Sequence, residues 1–146
     1  MILSAGFSKD FPRLSDWIVR RLPAVKDNVK VFKAFQRYAE LNEKVAVRAL
    51  QPGNPPEIDR RHIAAANGEY LGRKYPGTVF VAISICERFE RRPADAKDPR
   101  MHALVESSLL HEMVHWGDWA DGKVAEFEAG KAFERAAYGK DVRRYW

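Results

Sequence analysis

The segment PRMHALVESSLLHEMVHWG, residues 99 to 117, constrains the chain more than any other. Proline opens it, glycine closes it, and nothing between them breaks a helix, so about five turns of α-helix are expected. Asp98 stands where an N-cap is needed, and Gly117 stands where a helix commonly stops. Leu104, Ser108, His111 and His115 lie along one stripe of it, flanked by the apolar Val105, Leu109 and Val114, so the histidines are expected to face inward.

Inside it, His111-Glu112-Met113-Val114-His115 sets two imidazoles four residues apart, on one helical face. Both rings can then ligate one metal ion, each through a nitrogen about 2.0–2.1 Å away. Glu112 is turned about 100° from His111, close enough to reach a water on the ion and badly placed to bind the ion itself. It is the candidate general base. Two nitrogens and one further protein ligand leave a coordination position open, where zinc lowers the pKa of water towards about 7 and polarises a substrate carbonyl. Without a metal, an inward-facing histidine pair would need other polar partners.

No histidine follows His115, so the third ligand is expected to be acidic. Asp118 and Asp121 follow closely, Glu126 and Glu128 come next, and Glu134 lies deeper in a second helical segment, Val124 to Tyr138, which ends at Gly139. Only a residue on a separate, returning helix approaches the ion from the far side. Asp118, Asp121 or Tyr138 could accept an imidazole N–H and orient the ring. His62 and His102 lie outside the pattern, and Trp116 and Trp119 read as packing at the helix end.

Upstream, a helix start at Ser15-Asp16, a break near Pro23 and a second helix from Asp27-Asn28 are expected, with Val29, Phe32, Phe35 and Ala39 as its apolar face. QPGNPP, residues 51 to 56, is the clearest loop. GEYLGRKYPGTVFVAISICERFE then predicts two antiparallel strands around Pro76-Gly77, the second running from Thr78 to Phe89. With 146 residues, 46% of them hydrophobic, the chain reads as one α+β domain spanning residues 1–146. N-terminal helices and a short antiparallel sheet precede the motif helix, about 99–117, and a C-terminal helix, about 124–138.

The apolar run from Val79 to Cys86 is far short of the roughly 20 residues a transmembrane helix needs, so no membrane span is expected. MILSAGFSKDFPRL lacks the basic start and apolar stretch of a secretory signal. The single cysteine, Cys86, excludes an intrachain disulfide and reads as a buried apolar residue. A net charge of +5 is mild, and the arginine pairs are scattered along the chain, which gives no specific nucleic-acid site.

His111-Glu112-x-x-His115 followed by a helical glutamate resembles the gluzincin arrangement of zinc metallopeptidases. The text HEMVHWGDWADG with EAGKAFERAAYG resembles the small metallopeptidase toxin domains of bacterial secretion effectors. The end of that segment, F-E-x-x-x-Tyr-Gly, is similar to the Asp-x-x-Tyr-Gly of aspzincins, with Glu for Asp and one residue more between acid and tyrosine. The resemblance covers about residues 101 to 139. It implies a small zincin-like domain holding one zinc ion (Zn2+) through His111, His115 and Glu134, with Glu112 as catalytic base and Val79 to Phe89 as the strand beside the substrate. It implies a peptide or peptidoglycan-linked substrate, an immunity protein and a secretion-system carrier. The protein would be cytoplasmic in the producer, leave by a route without a signal peptide, and act in the periplasm or cytoplasm of a target cell. A cytosolic housekeeping metalloprotease and a non-catalytic, metal-stabilised binding module are the alternatives.

Overall fold

The computed structural model describes residues 1–119 and 128–146. In chain order the elements are β1 (Ile2–Leu3), α1 (Ala5–Asp10), α2 (Pro12–Ala24), α3 (Val29–Tyr38), α4 (Glu43–Leu50), β2 (Glu57–Arg61), β3 (Gly68–Tyr70), β4 (Thr78–Ala82), α5 (Ile83–Arg91), α6 (Pro99–Trp119) and α7 (Ala129–Tyr138). Side chains set several of the boundaries. Asn28 and Asn42 cap α3 and α4 by accepting the N–H groups of Val31 and Val45. Asp98 accepts the Arg100 N–H at 2.8 Å where α6 begins. Ser4 caps α1 and also donates to Asp59 on β2 at 2.8 Å, tying the N-terminal helices to the sheet.

The strands form one sheet in the order β1-β2-β4-β3. β3 and β4 pair antiparallel around the Pro76-Gly77 turn, with Glu69 opposite Phe80, as the sequence predicts. β1 and β2 extend the sheet on the other side of β4, both in parallel. Neither is legible in sequence: β1 is two residues long, and β2 is the charged run EIDRR, in which Ile58 alone is buried.

The second predicted strand is corrected at its end. The chain leaves the sheet after Ala82 and continues as α5, with Ile85, Cys86 and Phe89 buried. That spacing is helical; a strand would have set Glu87 on the same face as Ile85 and Phe89. The first helical segment likewise starts earlier than Ser15, and Val29, expected in the core, is 69% exposed while Phe32, Phe35 and Ala39 are buried.

α6 is the centre of the molecule. Met101, Leu104, Val105, Leu109, Leu110, Met113 and Val114 are fully buried along it. One side lies on β3 and β4, another on α7, and α7 in turn packs on α3. The helix passes through Gly117, where it had been expected to stop, and reaches Trp119. The Ala39 carbonyl crosses so closely that a Cβ at Gly117 would lie 2.5 Å from it, so the glycine serves packing and not termination. α7 ends at Gly139, at a left-handed φ of 79°, as expected.

Candidate metal centre

His111 and His115 sit on one face of α6 with their rings turned to a common point; the two Nε2 atoms are 3.3 Å apart. From the mouth of α7, Glu128 reaches into the same space. Its Oε1 lies 2.8 Å from His115 Nε2 and 3.2 Å from His111 Nε2. Its other oxygen accepts the Lys131 N–H at 2.6 Å, so the residue caps its own helix and its side chain is held in place.

The donor chemistry fits a divalent cation. His111 Nδ1–H donates to Glu134 Oε1 at 2.7 Å, which in the neutral ring leaves Nε2 as a lone pair. That lone pair faces a carboxylate oxygen, which is also an acceptor, and a second imidazole nitrogen. Donors about 2.0–2.1 Å from one tetrahedral ion lie roughly 3.3–3.4 Å from each other, close to the 3.3 and 3.2 Å found for His111 with its two partners, while the third pair, His115 and Glu128, is closer at 2.8 Å. Among the described residues, His111, His115 and Glu128 form the group able to hold a metal ion.

Glu134, the helical glutamate that the resemblance offered as third ligand, stands elsewhere. It is buried, it binds the opposite nitrogen of His111, and its second oxygen accepts the Val142 N–H at 2.6 Å. That geometry fixes the tautomer and orientation of the ring. Tyr138 is also turned away, donating to Glu106 at 3.0 Å; Glu106 pairs with Arg21, so the three link α7, α6 and α2. Burial, then the charge and hydrogen bond of Glu106, push the Tyr138 phenol well above its usual range. Asp121, Glu126 and the expected start of the last helix at Val124 lie outside the described residues. His102 Nε2 lies 2.8 Å from the Ala96 carbonyl oxygen and its ring packs on Trp17, while Trp119 covers Gly72.

Glu112 is buried next to this cluster, and burial raises its carboxyl to about 7. Burial opposes a charge on His111, but the Glu134 hydrogen bond and the nearby carboxylates outweigh it and raise the ring's pKa. Burial and the neighbouring His111 charge lower that of His115. Burial would raise Glu128, yet the Lys131 N–H and the two histidines prevail and hold it below the usual range.

Two close approaches make the site possible. A Cβ at Gly130 would lie 2.3 Å from His111 Cδ2 and Nε2, and one at Gly68 would lie 2.7 Å from Glu112 Cγ. Only glycine lets α7 and β3 come this near. Neither role shows in the sequence, because Gly130 falls inside the expected helix of residues 124–138 and Gly68 at the edge of an expected strand, where an isolated glycine is unremarkable. The resemblance favours Glu134, which stands 19 positions beyond His115 on a returning helix; the capping position of Glu128 at the start of α7 is a feature of the folded chain.

A cleft of about 530 Å³ opens beside the cluster, with Ser108, His111 and Glu112 along its floor. Ala64–Asn67 form one wall, and the C-terminal tail forms another. Arg144 ties the tail to that wall through Asn67 Oδ1 at 3.2 Å and the Ala66 carbonyl at 2.5 Å. A second opening, lined by Tyr70, Gly72, Asp118 and Trp119, also reaches His111, Glu112 and His115.

Fold and site together define a mixed α+β domain built around a candidate metal centre on its longest helix. The chain belongs to the metallopeptidase toxin 3 family, whose model matches residues 7–139 and so includes the N-terminal helices as well as the metal-site segment. No curated protein and no solved structure matches it.

Proposed function

We propose that the chain is a zinc-dependent peptidase in which His111, His115 and Glu128 hold one ion, Glu112 is the general base and Glu134 orients His111. The observation that carries this reading is the convergence of His111 Nε2, His115 Nε2 and Glu128 Oε1 on one point beside an open cleft. A zinc ion held there supplies a Lewis acid that activates water at neutral pH and polarises an amide carbonyl. Glu112, next to His111 and lining both openings, would take the proton of the attacking water and return it to the leaving amine. Burial of its carboxyl keeps bulk water from competing for that proton. Membership of a toxin family supports delivery by a secretion-system carrier into a competing cell, action in that cell's periplasm or cytoplasm on a peptide or peptidoglycan-linked substrate, and an immunity protein in the producer.

Metal analysis of the purified chain is expected to find one zinc per molecule. Glu112→Gln is expected to keep the metal and lose about 10²–10⁴-fold in peptide hydrolysis. Full activity of that variant would overturn the mechanism.

A further inference from the structure

The donors at the metal centre come from two helices, His111 and His115 from α6 and Glu128 from the start of α7. Whatever fixes α7 against α6 therefore fixes the site. One such element lies past the last helix. Residues 140–146 form no helix or strand, and a segment of that kind is ordinarily loose unless something ties it down. This one is tied along its length.

Gly139, with its φ of 79°, turns the chain back beside the final turn of α7, where Arg135 holds Asp141 through contacts of 2.7 and 3.2 Å. The Val142 N–H donates to Glu134 Oε2 at 2.6 Å, and the Val142 carbonyl accepts from Asn67 Nδ2 at 3.2 Å. Arg144 bonds Asn67 Oδ1 and the carbonyls of Ala64 and Ala66. Asn67 is in turn joined to the sheet, its carbonyl accepting the Ala82 N–H at 2.9 Å. Just ahead of α6, Asp95 accepts the Tyr145 hydroxyl at 3.1 Å, and the Arg100 guanidinium lies 4.2 Å from the centre of the Tyr145 ring. The tail thus runs from the end of α7 to the sheet and to the entrance of α6.

Glu134 links this tail to the metal centre. It is 6% exposed, so its charge is sustained by the donors the fold gives it, the His111 Nδ1–H on one oxygen and the Val142 N–H on the other. Without the second donor, nothing described here stops the carboxylate from turning and taking the imidazole with it.

We propose that residues 141–145 are a positioning clamp for the metal centre: docking of the tail holds the Val142 N–H on Glu134, and Glu134 holds His111 with Nε2 towards the ion. The clamp rests on the peptidase reading for the identity of that ion. Val142 and Arg144 are positioning residues, acting on the metal through Glu134.

The test measures the zinc affinity of the full chain by chelator competition. Val142→Pro deletes the N–H that Glu134 accepts, and Arg144→Gln releases the tail from the wall while leaving that N–H in place. Direct partners of a metal-bound histidine are worth about 10–100-fold in affinity, so losing the group that holds such a partner is expected to weaken zinc about tenfold for Val142→Pro and about threefold for Arg144→Gln. In a Glu134→Ala background the same changes are expected to alter affinity by less than about twofold, because the link they act through is gone. A tail that only stabilises the fold would lower the metal-free melting temperature at unchanged affinity, or weaken zinc equally in both backgrounds; either result overturns the clamp. Arg144→Gln, at a half-buried position, carries the test if proline at 142 disturbs folding. The peptidase reading fails separately. A parent chain that binds zinc and cleaves no peptide sinks that reading, and the zinc measurements still decide the clamp. If the parent takes up no zinc, the ring 15N–1H cross peak of His111 Nδ1 decides it: loss of that signal in the two variants supports the clamp, and its persistence overturns it.

Discussion

Gly130→Ala tests whether the closeness of α7 and α6 is what builds the metal centre. The added methyl would start 2.3 Å from His111 Cδ2 and Nε2 and 2.6 Å from Cε1. Ordinary carbon contact begins near 3.5 Å, so ring and helix must separate by about 1.2 Å. The ring cannot simply swing aside, because Glu134 grips Nδ1 and is itself tied to Val142. A shift of that size is large against the 3.2 Å that separates His111 Nε2 from Glu128 Oε1, and zinc affinity is expected to fall about 100-fold. Overpacking costs roughly 1–3 kcal/mol, offset by about 1 kcal/mol from the better helix propensity of alanine, so the metal-free variant should be less stable than wild type by up to about 2 kcal/mol. At free zinc about 1,000-fold above the wild-type Kd, the metal stabilises the parent by about 4.1 kcal/mol and the variant by about 1.4 kcal/mol. Chelator competition gives the affinities, and thermal melts with and without zinc give the stabilisation. A variant that binds zinc like the parent and melts higher without it would show that the tight approach at Gly130 has no part in holding the site.

Other perturbations separate the roles of the carboxylates and the packing around them. Glu128→Ala is expected to lose zinc binding more severely than Glu134→Gln, which should weaken it about 10–100-fold while leaving stoichiometry at one; the reverse order would make Glu134 the ligand. The Arg88 hydrogen bond, helped by the Tyr145 hydroxyl, holds the Asp95 carboxyl below its usual range. A depressed carboxyl contributes stability above the unfolded pKa and loses it as pH falls through the folded one. Melting temperature should therefore drop more steeply in the parent than in Asp95→Asn as pH falls below about 4, the ordinary carboxyl value, with an identical slope counting against the Asp95 contacts to Arg88 and Tyr145. Burial pushes the Cys86 thiol up to about 12, so Ellman's reagent at pH 8 should leave the folded protein untouched and titrate one thiol after denaturation.

Some of this protein is written in local order along the chain. The long helix follows from its Pro99 start and unbroken apolar sequence, and His111, Glu112 and His115 fall on it at spacings that any helix would present on one side. The antiparallel pair around Pro76-Gly77 and the caps at Asn28 and Asp98 are equally local, because each depends on residues a few positions apart. What depends on distant segments was hidden. β2 is a strand because β1 and β4 pair with its backbone, while its charged sequence shows no alternation. α5 shares its β-branched opening with the strand before it, and only the burial of Ile85, Cys86 and Phe89 separates the two.

The candidate site divides in the same way. Two imidazoles and a carboxylate belong to one helix and are fixed by its pitch. Which acid completes the group depends on where α7 starts and how near it comes, and those are set by Gly130 against His111 and by the packing of α7 on α3. Helix pitch is a property of consecutive residues, so sequence alone determined the pair of histidines. The meeting of two helices depends on every side chain between them, so only the tertiary structure set Glu128 towards the rings and Glu134 behind them.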